Sequence, residues 1–179
     1  MSKPNPIETA RKVFDVEAQA ILSLKDRMND SFLKVVELVT ACKGKVVLTG
    51  IGKSGQIARK IASTFSSTGT PSVFLHPAES SHGDLGLIAV NDLVIAISYG
   101  GETPELTPVL NYLSRKNIPL VAITGNISSE LSKRALATLD VKISREACPL
   151  GLAPTASSTA TLAMGDAVAM AVLEQKGFS

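Results

Sequence analysis

Apolar positions in the first 40 residues recur at helical spacing. Phe14, Ala18, Ile21 and Leu24 fall near one stripe and predict a helix over residues 6–28. Phe32, Val35, Val36 and Val39 repeat the i, i+3, i+4, i+7 pattern and predict a second helix. After Lys43-Gly44 the period changes. Val46-Val47-Leu48 is a short apolar run ending in Thr49-Gly50, which reads as a buried strand entering a tight turn, with a helix over 53–67 behind it. Further strands follow at Ser72–Leu75, Leu93–Ile97, Pro119–Thr124 and Leu139–Ile143. Helices are expected at about 104–115, 129–134 and 157–175, the last built from small apolar residues such as Ala160, Ala163 and Ala167.

Strand and helix therefore alternate, and the strands are continuous apolar runs instead of alternating ones. That pattern belongs to a parallel sheet covered on both faces. The expected fold is a three-layer αβα sandwich, a doubly wound α/β fold, with residues 1–43 as a helical segment packed on a domain spanning 44–179. In such sheets ligands bind beyond the carboxyl ends of the strands, so chemistry is expected just after each strand.

Composition narrows the class. The 179 residues suit one domain, and 45% apolar against 19% charged content excludes a disordered chain. Aromatics are 4% with no Trp, so the core must come from Ala, Val, Ile and Leu. Net charge is +2 with both signs dispersed, which gives no footprint for nucleic acid. The opening Met-Ser-Lys-Pro-Asn-Pro is no apolar signal core, and the longest greasy stretch, near Leu162 to Leu173, is interrupted by Asp166 and reads as too short to span a bilayer. Two cysteines, Cys42 and Cys148, make neither a disulfide framework nor a zinc cluster. A soluble, cytoplasmic protein is expected.

Four loops carry candidate chemistry. Gly50-Ile51-Gly52-Lys53-Ser54-Gly55 matches G-x-G-x-x-G between a strand and a helix. The acidic residue of a dinucleotide site is missing at the end of the next strand, where Leu75-His76-Pro77 stands, and a Walker loop would need Gly at Val47. What remains is a glycine turn feeding a helix N-terminus, which favours an anion. The second loop, Ser98-Tyr99-Gly100-Gly101-Glu102-Thr103-Pro104-Glu105, again joins a strand to a hydroxyl-bearing helix start. Thr103 is also a plausible N-cap ahead of Pro104. The third runs from Glu146 to Thr159, where Ser157 or Ser158 could cap the last helix. The fourth, Glu79 to Gly86, clusters two carboxylates, His82 and hydroxyls.

These loops resemble the SIS (sugar isomerase) domain family, and within it the D-arabinose 5-phosphate isomerase branch. The branch's signatures are the run from His76-Pro77 through Ser81-His82-Gly83-Asp84-Leu85-Gly86 and the run Glu146-Ala147-Cys148-Pro149-Leu150-Gly151-Leu152-Ala153-Pro154-Thr155. The resemblance implies a five-stranded parallel sheet of flavodoxin-like order, a homotetramer, and interconversion of D-ribulose 5-phosphate with D-arabinose 5-phosphate at the head of Kdo biosynthesis. It implies a sugar phosphate as the only small-molecule partner, with no cofactor and no metal required. It places Lys53, Glu105 and Glu146 at catalytic positions, with His82 as an active-site His. It also places Gly52, Ser54, Ser98, Tyr99, Gly100 and Thr103 in the phosphate-binding loops. One departure is Gly100, where the family usually has a second Ser. Longer members continue past the Gly-Phe found here at Gly177-Phe178 into a His-Pro-Gly-Gly segment and CBS domains. The expectation is either a short form or a piece of a longer chain.

Such a reaction needs a base near the carbon acid, a group facing the developing oxyanion, and a shuttle for hydroxyl protons. Glu146, at the end of the fifth strand, is the expected base; a carboxylate suits that role if burial raises its pKa toward neutrality. Lys53 is the oxyanion stabiliser or the phosphate counter-charge, and Glu105 orients Lys53 or handles a hydroxyl proton. His82 is a shuttle or ring-opening acid. A hexulose or sedoheptulose phosphate isomerase and a non-catalytic sugar-phosphate sensor are the rival readings.

Overall fold

The computed structural model describes residues 5–80 and 83–177. Two helices, α1 (Pro6–Leu22) and α2 (Asp30–Ala41), precede the first strand. Each opens on an Asn, Asn5 or Asn29, whose side-chain oxygen accepts the N–H two residues on. The sheet is built from β1 (Val46–Gly50), β2 (Ser72–Leu75), β3 (Leu93–Ile97), β4 (Leu120–Thr124) and β5 (Ala137–Asp140). All neighbours are parallel, in the order β2-β1-β3-β4-β5. The order reverses between β1 and β3, and the crevice above that point is where a ligand site belongs.

β1, β3 and β4 are buried throughout because both faces are covered. Val46 and Leu48 of β1 and Ile95 and Ile97 of β3 join one core with α1, α2, α3 (Gly52–Ser67) and α7 (Ala156–Lys176). Val47, Val94 and Ala96 point the other way, into a second core with α5 (Thr107–Lys116) and α6 (Glu130–Arg134). A single turn of helix, α4 (Pro77–Ser80), and 3-10 turns at Asp84–Leu87 and Pro104–Leu106 complete the connections.

Three elements differ from the sequence expectation. The first helix stops at Leu22, where the Ser23 hydroxyl donates back to the Ala20 carbonyl, and the chain continues as a 3-10 turn over Lys25–Arg27. The fifth strand lies earlier than the apolar run Leu139–Ile143, because pairing with β4 begins at Ala137 and only Val141 N–H still reaches the sheet, at the Thr124 carbonyl. The stretch read as too short to span a bilayer belongs to the 21-residue α7, which is long and apolar enough by length and composition. Half of its apolar window is buried inside the fold, against α1, α2 and α3.

At the opposite edge of the sheet from the functional loops, Asp92 is 2% exposed. It accepts from Lys45 N–H at 2.9 Å, Lys45 Nζ at 2.6 Å and Ala89 N–H at 2.8 Å. Burial alone would raise its pKa, but these donors outweigh burial and hold the carboxyl below its ordinary value. The bracket sets where β1 and β3 enter side by side.

Candidate active site

The turn after β1 brings the chain from the sheet into α3 over a single residue, Ile51. Gly52 takes φ +58°, a left-handed conformation that glycine adopts without strain. A side chain at Gly55 would come within 2.7 Å of the Gly50 carbonyl oxygen, so strand end and helix start approach as closely as backbones can. The result is a helix N-terminus with no side-chain cap and no acidic residue in its first turn. The first N–H groups of such a helix lack intrahelical acceptors and carry its positive dipole end. Lys53 stands there exposed, without an ion pair or hydrogen bond among the described residues, and Ser54 follows it.

Beside this terminus lies a cavity of about 240 Å³, lined by Lys53, Ser54, Tyr99, Glu146, Ser157 and Ser158 among others. That is small even beside the pockets that hold drug-sized ligands, and suits a short polar metabolite. Two helix N-termini face it: α3 through Lys53 and Ser54, and α7 through Ser157 and Ser158.

The α7 terminus is already filled. Its first turn has no acidic residue and its N-cap, Thr155, makes no side-chain cap bond. Instead Glu146, ten residues before the helix, reaches across the loop. Its Oε2 accepts from Thr155 N–H at 2.9 Å, Thr155 Oγ1 at 3.0 Å and Ser157 N–H at 3.2 Å, and its Oε1 accepts from the Ser157 hydroxyl. Ala147 N–H donates to Thr155 Oγ1 at 2.9 Å, closing the neck of the loop. The condition that burial raise the Glu146 pKa is therefore not met. Burial does push it up, but the bonds from Ser157 and Thr155 win and leave the carboxyl below its ordinary value. Beyond the neck, Leu150 and Leu152 stand about four-fifths exposed. The Cys148 thiol is drawn below its usual range by backbone N–H groups of Ala153, Leu152 and Leu150.

The second loop behaves differently from the first. Thr103 sits at the N-cap position but does not cap; its hydroxyl pairs with the Ser98 hydroxyl at 2.7 Å, and Gly101 N–H donates to Ser98 Oγ at 3.0 Å. Ser98 is 4% exposed. One hydroxyl proton of the pair remains uncommitted, and Thr103, the more open of the two, is placed to present it. Gly100 has open space around its Cα.

The structure thus gathers Lys53, Ser54, Tyr99 and Glu146 around one cavity. Ser98 and Thr103 sit at the adjacent strand end (Gly50 and Ile97 pair in the sheet) without lining that cavity. Glu105, in the 3-10 turn, is exposed and makes no hydrogen bond or ion pair among the described residues. His82 lies outside the described residues. His76 Nδ1 accepts from Ala78 N–H at 3.2 Å, a local strand-end role. No group of three potential metal ligands occurs among the described residues. Sequence reasoning missed Ser157, Ser158 and Thr161 as cavity residues, having read the serines as caps; the absence of acid in α7's first turn was the available hint.

The match with known proteins places the chain in a class. It belongs to the SIS domain family, whose model covers residues 40–171. It is 49% identical to the arabinose 5-phosphate isomerase KdsD of Escherichia coli K12 over 172 residues, 96% of this chain and 52% of that protein. It is also 49% identical to KdsD of Pseudomonas aeruginosa over 173 residues, 97% of this chain and 53% of that one. The chain spans about half the length of these curated relatives. In structure it resembles c3406 of E. coli CFT073, solved in complex with arabinose 5-phosphate: the TM-score is 0.94 at 41% identity, covering 100% of this chain and 95% of that one.

Proposed function

We propose that this chain is an aldose–ketose isomerase that interconverts D-ribulose 5-phosphate and D-arabinose 5-phosphate, the first step of Kdo biosynthesis. One observation carries the reading: an unfilled helix N-terminus with Lys53 and Ser54 shares a small cavity with a carboxylate held ionised. The names of the relatives at 49% identity support the same chemistry and the same sugar.

The phosphate dianion settles on the α3 N-terminus, taking backbone N–H groups, the Ser54 hydroxyl and the free proton of the Ser98–Thr103 pair. Glu146 removes the proton from C2 of the open-chain aldose. Negative charge then develops on O1, where the Lys53 ammonium meets it. Return of the proton to C1 and passage of the O2 proton to O1 complete the ketose, with no net gain or loss of atoms or electrons. A depressed pKa weakens Glu146 as a base but keeps it deprotonated at neutral pH, and four hydrogen bonds fix its direction. His82 is proposed as the hydroxyl-proton shuttle. Glu105 is assigned no step.

We further propose a cytoplasmic homotetramer in which residues 1–43 form part of the same unit as 44–179. The exposed Ile7, Phe14 and Leu22 of α1 and Leu150 and Leu152 of the loop support self-association. Sedimentation velocity tests the tetramer. A coupled assay for ribulose 5-phosphate formed from arabinose 5-phosphate, run beside hexulose and sedoheptulose phosphates, tests the activity. Turnover confined to the pentose is expected; a preference for a longer sugar, or none for any, refutes the assignment.

A further inference from the structure

Tyr99 has bonds that a residue serving only as a phosphate-loop spacer would not need. Its carbonyl accepts from Gly125 N–H at 2.9 Å and from the Thr124 hydroxyl at 3.1 Å, tying the end of β3 to the end of β4. Its ring packs against Gly125, where a Cβ would meet three ring carbons at 2.6 to 3.0 Å. Its hydroxyl accepts from Ile143 N–H at 3.1 Å, three residues before Glu146. The ring also lines the cavity that holds Lys53 and Glu146.

The Ile143 bond falls where the chain has just left the sheet. Val141 N–H makes the last bond to β4, and Lys142 N–H turns back to Asp140 Oδ1 at 2.8 Å. Arg27 holds the Lys142 carbonyl from outside. Between there and the closed neck at Glu146, the Tyr99 hydroxyl is the inner anchor. Three residues can span about 10 Å when extended, so a segment released at Ile143 has room to shift the carboxylate by an ångström or more.

We infer that Tyr99 is a positioning residue: through Ile143 it sets where Glu146 stands relative to Lys53, with Gly125 present because the ring needs its surface. The inference rests on the isomerase reading for its kinetic consequence but not for its structural one. Near-attack geometry is sensitive to displacements of this size. The phosphate grip on α3 does not pass through Tyr99, so chemistry should suffer more than binding.

The experiment uses the full chain, the Tyr99→Phe variant and, as a second route, Gly125→Ala, which keeps the hydroxyl but displaces the ring. Hydrogen exchange is followed at the Ile143 amide and in the peptides around it, and turnover of arabinose 5-phosphate is measured in parallel. In Tyr99→Phe the Ile143 amide should exchange about fivefold faster or more with melting temperature little changed, and kcat should fall about tenfold while KM stays within about twofold. Gly125→Ala should show the same split. Unchanged exchange at Ile143 in Tyr99→Phe overturns the coupling. Equal changes in kcat and KM, or no change in either, overturn the positioning role. If the parent chain fails to turn over the sugar, the isomerase reading fails, and the exchange result then decides the coupling by itself.

Discussion

Replacing Glu146 separates its two duties. As a structural group it accepts four hydrogen bonds at the head of α7; as a chemical group it is the proposed base. In Glu146→Gln the amide oxygen can take the Oε2 position, keeping the bonds from Thr155 and from Ser157 N–H. The amide nitrogen then faces Ser157 Oγ, whose hydroxyl rotates to accept. Lost are the charge assistance and the interaction with the helix dipole, together about 1 kcal/mol. For a domain of this length that lowers Tm by about 2–4 °C. Glu146→Ala instead strips the acceptor from two backbone N–H groups and two hydroxyls. The hydroxyls find water or each other, the amides less so, and the cost is about 3 kcal/mol, or about 6–12 °C. Isomerase turnover should fall by orders of magnitude in both. Calorimetry and the coupled assay read the two duties independently. Equal melting temperatures for Gln and Ala would refute the capping argument, and near-parental turnover in Gln would refute the base. The sign of the pH effect follows from the same bonds. A folded-state pKa below its unfolded value means that the Glu146 contribution is complete above the unfolded value and is lost as pH falls through the folded one. The difference in stability between parent and Glu146→Gln should therefore shrink in acid.

Lys53 is exposed and unpaired among the described residues, so Lys53→Ala should leave melting unchanged while kcat/KM for the sugar phosphate drops at least a hundredfold in the coupled assay. Gly100 has open space and no left-handed φ, so Gly100→Ser should fit and add a donor beside the Ser98–Thr103 pair, lowering KM about three- to tenfold with kcat near the parent. Asp92→Ala, at the far edge of the sheet, should cost about 2–3 kcal/mol in urea unfolding by orphaning two amides and Lys45, with the remaining folded enzyme turning over normally.

β1, β3 and β4 were legible because burial on both faces writes itself as consecutive Val, Ile, Leu and Ala, and the edge strand β2 was legible from Val73-Phe74-Leu75 closed by Pro77. The bounds of the fifth were not, because its burial alternates: Ala137 and Leu139 are buried while Thr138 and Asp140 are half-buried, and Lys142 and Ile143 beyond it bond to Arg27 and Tyr99 instead of the sheet. In the site, the turn from β1 into the uncapped α3 N-terminus could be read from glycine spacing alone, since it is local. The resemblance put Glu146 at a catalytic position, but its depressed pKa was invisible: it depends on Thr155 and Ser157, which only loop closure brings near. The same holds for Thr103, a cap by pattern that bonds to a buried Ser98 instead.

Two electropositive helix ends open on the same small chamber, and the protein occupies one of them with its own carboxylate. A ligand with a single anionic terminus finds one vacant seat and one filled. On the proposed reading, a molecule phosphorylated at both ends would press its second charge against Glu146, so the second helix end would disfavour a bisphosphorylated sugar before any sugar hydroxyl is recognised.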